Sequence, residues 1–197
     1  MRTIILALLL STGCGDDSVT PPGNNPDAPP GDVDAPAADA GALTLDCVSY
    51  CSGILAACTD ALAQYESMAS CLGTCEHLPV GVLGETTGNT LGCRVKHTEF
   101  AQQDAATHCE HAGPGGGSMC GATSCEGFCS VAPIICPTQW QANTCATRCG
   151  ALTSVPPYSI SSTGDTRECR LYHLTIATTD ATTHCPHTDR MNSDTCQ

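Results

Sequence analysis

Cys47-Val48-Ser49-Tyr50-Cys51-Ser52-Gly53-Ile54-Leu55-Ala56-Ala57-Cys58, followed by Cys71-Leu72-Gly73-Thr74-Cys75, is the stretch that decides the fold. A CxxxC spacing sets two sulfurs one helical turn apart on one face. Cys47, Cys51, Ile54 or Leu55, and Cys58 make one apolar stripe, and Tyr65, Met68, Cys71 or Leu72, and Cys75 make a second. Two antiparallel helices with facing CxxxC pairs can be stapled twice, which predicts Cys47 to Cys75 and Cys51 to Cys71.

The rest of the chain repeats this plan. Cys47, Cys51, Cys58, Cys71, Cys75, Cys93, Cys109 and Cys120 are separated by 3, 6, 12, 3, 17, 15 and 10 residues. Cys125, Cys129, Cys136, Cys145, Cys149, Cys169, Cys185 and Cys196 are separated by 3, 6, 8, 3, 19, 15 and 10. Five of the seven gaps agree, so the spacing describes two copies of one module, at 45–121 and 122–197. The second copy is predicted to carry the staples Cys125 to Cys149 and Cys129 to Cys145. Shared residues extend past cysteine: Arg94, His97, Ala101, Asp104, Ala105, Thr107, His108 and His111 recur as Arg170, His173, Ala177, Asp180, Ala181, Thr183, His184 and His187.

A third helix is expected to start at Asn89-Thr90 and at Asp165-Thr166, residue types that accept hydrogen bonds from the free amides of a first turn. Its face carries Cys93, His97 and Phe100 or Ala101 in copy one, and Cys169, His173 and Ile176 or Ala177 in copy two. Gly113-Pro114-Gly115-Gly116-Gly117 cannot stay helical, which predicts a loop tied down by Cys109 and Cys120 and draws His108 and His111 into it. Fixing the two staples leaves three pairings for Cys58, Cys93, Cys109 and Cys120, of which Cys58 to Cys93 and Cys109 to Cys120 is preferred. The fold class is therefore small, disulfide-rich and mainly α, with two tandem modules of a helical hairpin plus a helix joined by long loops.

Composition agrees with a stapled fold. Seventeen cysteines in 197 residues is the density of a disulfide scaffold in an oxidising compartment, and seven aromatic residues are few for a large core. Modules of about 75 residues are marginal on hydrophobic burial alone, and each disulfide adds about 2–4 kcal/mol. Twenty acidic against seven basic residues, a net charge of −13, excludes nucleic acid as a partner.

Residues 1–13 read as a signal peptide, with the apolar run Ile4 to Leu10 too short to span a bilayer. Ser11-Thr12-Gly13-Cys14 resembles the lipobox of bacterial lipoproteins, and that resemblance implies acylation of Cys14 and a lipid anchor in the membrane. Removing Cys14 leaves sixteen cysteines, an even number that full pairing requires. Gly15 follows the cysteine where an inner-membrane retention signal would carry Asp, so the resemblance implies the outer membrane or cell surface. Residues 14–44 form an acidic tether: Gly15 to Thr44 holds six Pro, six Asp and six Ala with no Lys or Arg, and is expected to be disordered. At about 3.1 Å per residue it would reach up to ~90 Å from the anchor.

The facing CxxxC pairs resemble the twin-CxxxC hairpin of small intermembrane-space chaperones in motif alone, and no function follows from that. The CRxxH and HCxH segments resemble cysteine-rich repeats of bacterial surface proteins, a family without an established activity. Enzyme motifs are absent: the chain has no CxxCH, CxxC, GxSxG, HExxH or DxDxDG, and Ser118 lacks the strand-to-helix setting of a nucleophile elbow. No catalytic residue is expected.

His97, His108 and His111, repeated as His173, His184 and His187, are the candidate ligand set. Imidazoles hold Zn(II), Cu(II) or haem iron, and three histidines with an open position are a common zinc arrangement. The plainer alternatives are that these rings cap helices or bond carbonyls, or that they sense pH. Arg94 and Arg170 read as helix-surface residues paired with acidic neighbours, or as holders of a carboxylate. The expected function is a non-enzymatic binding or structural role at the cell envelope without a cofactor, with an envelope or extracellular protein as partner. The competing expectation is a metal- or haem-handling or electron-transfer protein built on the repeated histidines.

Overall fold

The computed structural model describes residues 43–189 and 195–197. The expected signal segment, Cys14, nearly all of the acidic tether and residues 190–194 lie outside them. Among the described residues there are eight α-helices and no strand: α1 Cys47–Ala57, α2 Met68–Cys75, α3 Leu91–Ala101, α4 Ala105–Ala112, α5 Ser124–Ile135, α6 Ala142–Gly150, α7 Arg167–Ala177 and α8 Ala181–Thr188. No described helix is long and apolar enough to cross a membrane.

Helix starts follow local chemistry. Asp46 accepts from the Ser49 amide at 2.9 Å, Thr90 from Cys93 at 3.1 Å and Asp104 from Thr107 at 3.2 Å. Thr166 and Asp180 repeat the last two caps, on Cys169 and Thr183. Ser67 and Ser70 form a reciprocal capping box at α2. Tyr65 is buried as the stripe requires, but it precedes α2 instead of lying on it.

The four predicted staples are present as Cys47–Cys75, Cys51–Cys71, Cys125–Cys149 and Cys129–Cys145. The other pairings differ from expectation. Cys58 bonds Cys109 and Cys93 bonds Cys120, not Cys58 to Cys93 and Cys109 to Cys120. Copy two repeats this as Cys136–Cys185 and Cys169–Cys196. The cause is a fourth helix. The segment expected to be a loop after α3 is α4, capped by Asp104, and it turns Cys109 toward the end of α1. Cys93, in the first turn of α3, is left facing the chain that returns after the glycine run.

Each copy has its own core: Tyr50, Ile54, Tyr65, Leu91 and Val95 in the first, and Phe128, Val131, Trp140, Leu171 and Leu174 in the second. Five of the seven aromatic residues are buried, so the scarce large rings sit where burial is worth most. The copies also interlock. Tyr158 of copy two donates its hydroxyl to Gln64 O at 3.2 Å, Gln64 Nε2 donates to Tyr158 O at 3.2 Å, and α2 packs on α7, with Gly73 against Thr178.

Arg94 and Arg170 are not surface residues. Both are at most 1% exposed. Arg94 gives Nε to Gly113 O at 3.0 Å, Nη1 to Thr90 O at 3.0 Å, and Nη2 to Asn89 Oδ1 at 2.9 Å and Pro114 O at 3.0 Å. Arg170 gives Nη1 to Thr166 O and Nη2 to Cys196 O, both at 3.1 Å, and pairs with Asp165 at 2.9 Å. These guanidinium groups tie the start of the third helix to the chain that closes each module, Arg94 through Nε and both Nη atoms and Arg170 through its two Nη atoms.

Candidate metal centres

The six paired histidines gather into two triads. In copy one His97 stands on α3, and His108 and His111 stand three residues apart on α4, hence on one face. The Cys58–Cys109 bond takes the residue between them to α1, which leaves that face turned to α3. Copy two sets His173 on α7 against His184 and His187 on α8.

The triads are close to congruent. Ring centroids are 5.3, 5.0 and 5.7 Å apart for the pairs 97–108, 97–111 and 108–111, and 5.6, 4.8 and 5.6 Å apart for 173–184, 173–187 and 184–187. His97 Nδ1 lies 3.1 Å from His108 Nδ1. His173 Nδ1 lies 3.4 Å from His184 Nδ1 and 3.3 Å from His187 Nδ1. In both triads one nitrogen from each ring lies within 4.8 Å of the others. A tetrahedral cation with metal–nitrogen bonds of about 2.0–2.1 Å sets its donors about 3.3–3.4 Å apart.

Protonation also suits a cation. His97 Nε2 donates to Thr86 O at 3.0 Å. A carbonyl only accepts, so the hydrogen sits on Nε2 and the neutral ring presents a lone pair at Nδ1, toward His108. Burial holds His97 below the usual imidazole range, aided by the neighbouring His108. His111 is lowered by burial and then by His97 and His108, and its buried Nδ1 has no hydrogen-bond partner among the described residues. Burial, His187 and His184 push His173 down to about 4. These rings are neutral at ordinary pH, the form that binds metal.

The sulfurs of Cys93 and Cys120 also approach His97, and those of Cys169 and Cys196 approach His173. Both pairs are disulfides and offer no thiolate, so nitrogen is the donor in each centre. The seventh histidine, His77, is in neither triad. Sequence reasoning named all six ligand candidates but placed His108 and His111 in a loop. The missed signal was Asp104-Ala105-Ala106-Thr107, repeated as Asp180-Ala181-Thr182-Thr183, a helix start at the same place in each copy. Thr86 O left no signal, since a carbonyl partner is invisible in a sequence.

Fold and centres together define a class: a small, mainly helical scaffold, stapled among the described residues by eight disulfides, with a tri-imidazole cluster in each of two copies. Residues 38–124, essentially the first copy, match the family model of the BfoA family C-terminal domain. The chain is 42% identical over 64 residues to an Aurasperone B biosynthesis cluster protein A of Aspergillus niger, an alignment covering 32% of this chain and 21% of the relative. It is 41% identical over 64 residues to the Bifonsecin B biosynthesis cluster protein A of Aspergillus brasiliensis, covering 32% and 22%. The chain thus spans about a fifth of the length of these relatives. No solved structure matches. The family match and the fungal relatives overturn the bacterial-lipoprotein resemblance and point to a fungal cluster-protein family instead. That resemblance rests on the four residues Ser11 to Cys14, whereas the family match extends over 38–124.

Proposed function

We propose that this is an exported, non-enzymatic protein that holds transition-metal cations, one in each tri-imidazole centre. The observation that carries the reading is the hub geometry of copy two, where His173 Nδ1 faces His184 Nδ1 at 3.4 Å and His187 Nδ1 at 3.3 Å. Lone pairs of His184 and His187 facing the His173 Nδ1 lone pair at that spacing repel it unless a proton or a cation lies between them. Imidazole donors favour Zn(II), Cu(II) and Ni(II) over Ca(II) or Mg(II), which take oxygen. Rings converging on one point suit a bare ion and not a macrocycle. Eight disulfides support an oxidising compartment, where paired cysteines leave histidine as the metal ligand.

Native mass spectrometry of the full, oxidised chain with Zn(II) or Cu(II) tests this. Two cations per chain are expected, falling to one in His97→Ala/His111→Ala and to none when His173→Ala/His187→Ala is added. No stoichiometric uptake, or uptake that survives all four substitutions, overturns it.

A further inference from the structure

We propose that the cation in each triad keeps an outward coordination position that takes an anionic oxygen donor, a carboxylate or phenolate, from outside the chain. This deepens the metal-holding reading and rests on it.

The donor set leaves the position open. Three neutral imidazoles occupy three corners of a tetrahedral ion and cancel none of its charge. The carboxylates near the triads in sequence are engaged elsewhere: Glu99 pairs with Lys96 at 2.9 Å and Asp189 with Arg148 at 3.2 Å. Asp104 and Asp180 cap α4 and α8, accepting from the Thr107 and Thr183 amides. Glu110, between Cys109 and His111, accepts from the Tyr158 amide at 3.3 Å. Its counterpart in copy two is Pro186, so no acid stands at that place at all. The only other ligand-type side chains grouped with the hub histidines, among the described residues, are disulfide sulfurs.

Exposure gives the position its direction. The hubs His97 and His173 are 3% and 8% exposed and form the floor, while His108, His111, His184 and His187 are only half-buried and form the rim. In copy one the Phe100 ring packs on His97 at 5.6 Å and on His108 at 5.2 Å, walling one side with apolar surface. Gly117 lies against His111, where a Cβ would come within 2.9 Å of Cδ2. In copy two Tyr172 packs on His173 at 5.0 Å. Apolar walls lower the local dielectric and strengthen the pull of an uncompensated dication on an anion. The chain's charge of −13 repels anions at long range, which favours donors that bond the metal directly over those held by diffuse charge.

The test uses the full, oxidised chain loaded with Co(II), whose visible spectrum reports coordination number, titrated with azide and with acetate. The expected result is a four-coordinate spectrum whose bands shift on anion addition and saturate at two anions per chain, with half the amplitude in His97→Ala/His111→Ala. Isolating copy one with His173→Ala/His187→Ala, Phe100→Leu, which preserves an apolar wall, should leave both the bound Co(II) and the azide response intact. Two bound Co(II) per chain with a spectrum indifferent to both anions overturns the open position and leaves the metal reading standing. Absence of Co(II) uptake overturns both.

Discussion

Cys58, which ends α1, is bonded to Cys109, which stands on α4 between His108 and His111. A staple to one helix therefore aims two ligands at another. The bond closes a separation of 51 residues, and its loss should cost about 4 kcal/mol through the freed unfolded chain. Cys58→Ala/Cys109→Ala should lower the denaturation midpoint and weaken metal uptake at copy one, with copy two unchanged. Denaturant titration and native mass spectrometry of the same sample check this; equal loss at both copies would contradict the local orienting role.

The metal-free fold should weaken in mild acid. His173 titrates near 4 in the fold, against about 6.5 in an unfolded chain. Below the unfolded value the unfolded state binds a proton that the fold excludes. Stability is thus whole above about pH 6.5, falls as pH drops toward 4, and loses nothing further from this group below that. His97 and His111, also lowered, act in the same direction. Denaturant midpoints in a chelator at pH 7.5, 5.5 and 4 should descend, and His173→Gln should flatten the descent. An unchanged slope in that variant would assign the acid sensitivity to other groups.

The staples were legible in the sequence because CxxxC fixes both the helix face and the partner, and their recurrence because cysteine gaps survive duplication. The second pair of disulfides in each copy was not, because it depends on α4. Ala105 to Ala112 is eight residues long with two histidines, a glutamate and a glycine run after it, so its hydrophobic period is too short to read and only the Asp104 cap announces it. Arg94 was misread for a different reason. A guanidinium is ordinarily exposed, and the carbonyls that make its burial tolerable belong to Gly113 and Pro114, which no periodicity ties to α3. The six histidines stood out by repetition, but their convergence required the helix that the sequence barely marks.

Trp140, the sole tryptophan, donates its indole N–H to Thr188 Oγ1 at 2.8 Å, and Thr188 directly follows His187. Cu(II) at the second centre should quench its fluorescence. His173→Ala/His187→Ala should abolish the quenching and His97→Ala/His111→Ala should leave it. Thr188→Val strands the buried indole N–H and should cost about 1–3 kcal/mol. Quenching that follows the first triad instead would misplace the reporter.

Gly73 in α2 faces Thr178, just past α7, so closely that an added Cβ would lie 2.6 Å from the threonine Cβ and Oγ1. On an isolated helix Gly→Ala is favourable by about 1 kcal/mol, because alanine loses less backbone freedom. Here contact between the two copies should reverse the sign. Gly73→Ala is expected to destabilise by about 1–3 kcal/mol, as overpacking does. Thr178→Gly removes the opposing Cβ, so in the double variant the alanine should become tolerated and recover part of the loss. A double-mutant cycle by denaturant titration decides it. If Gly73→Ala stabilises the protein on its own, the copies do not meet at this place as tightly as the side chains require.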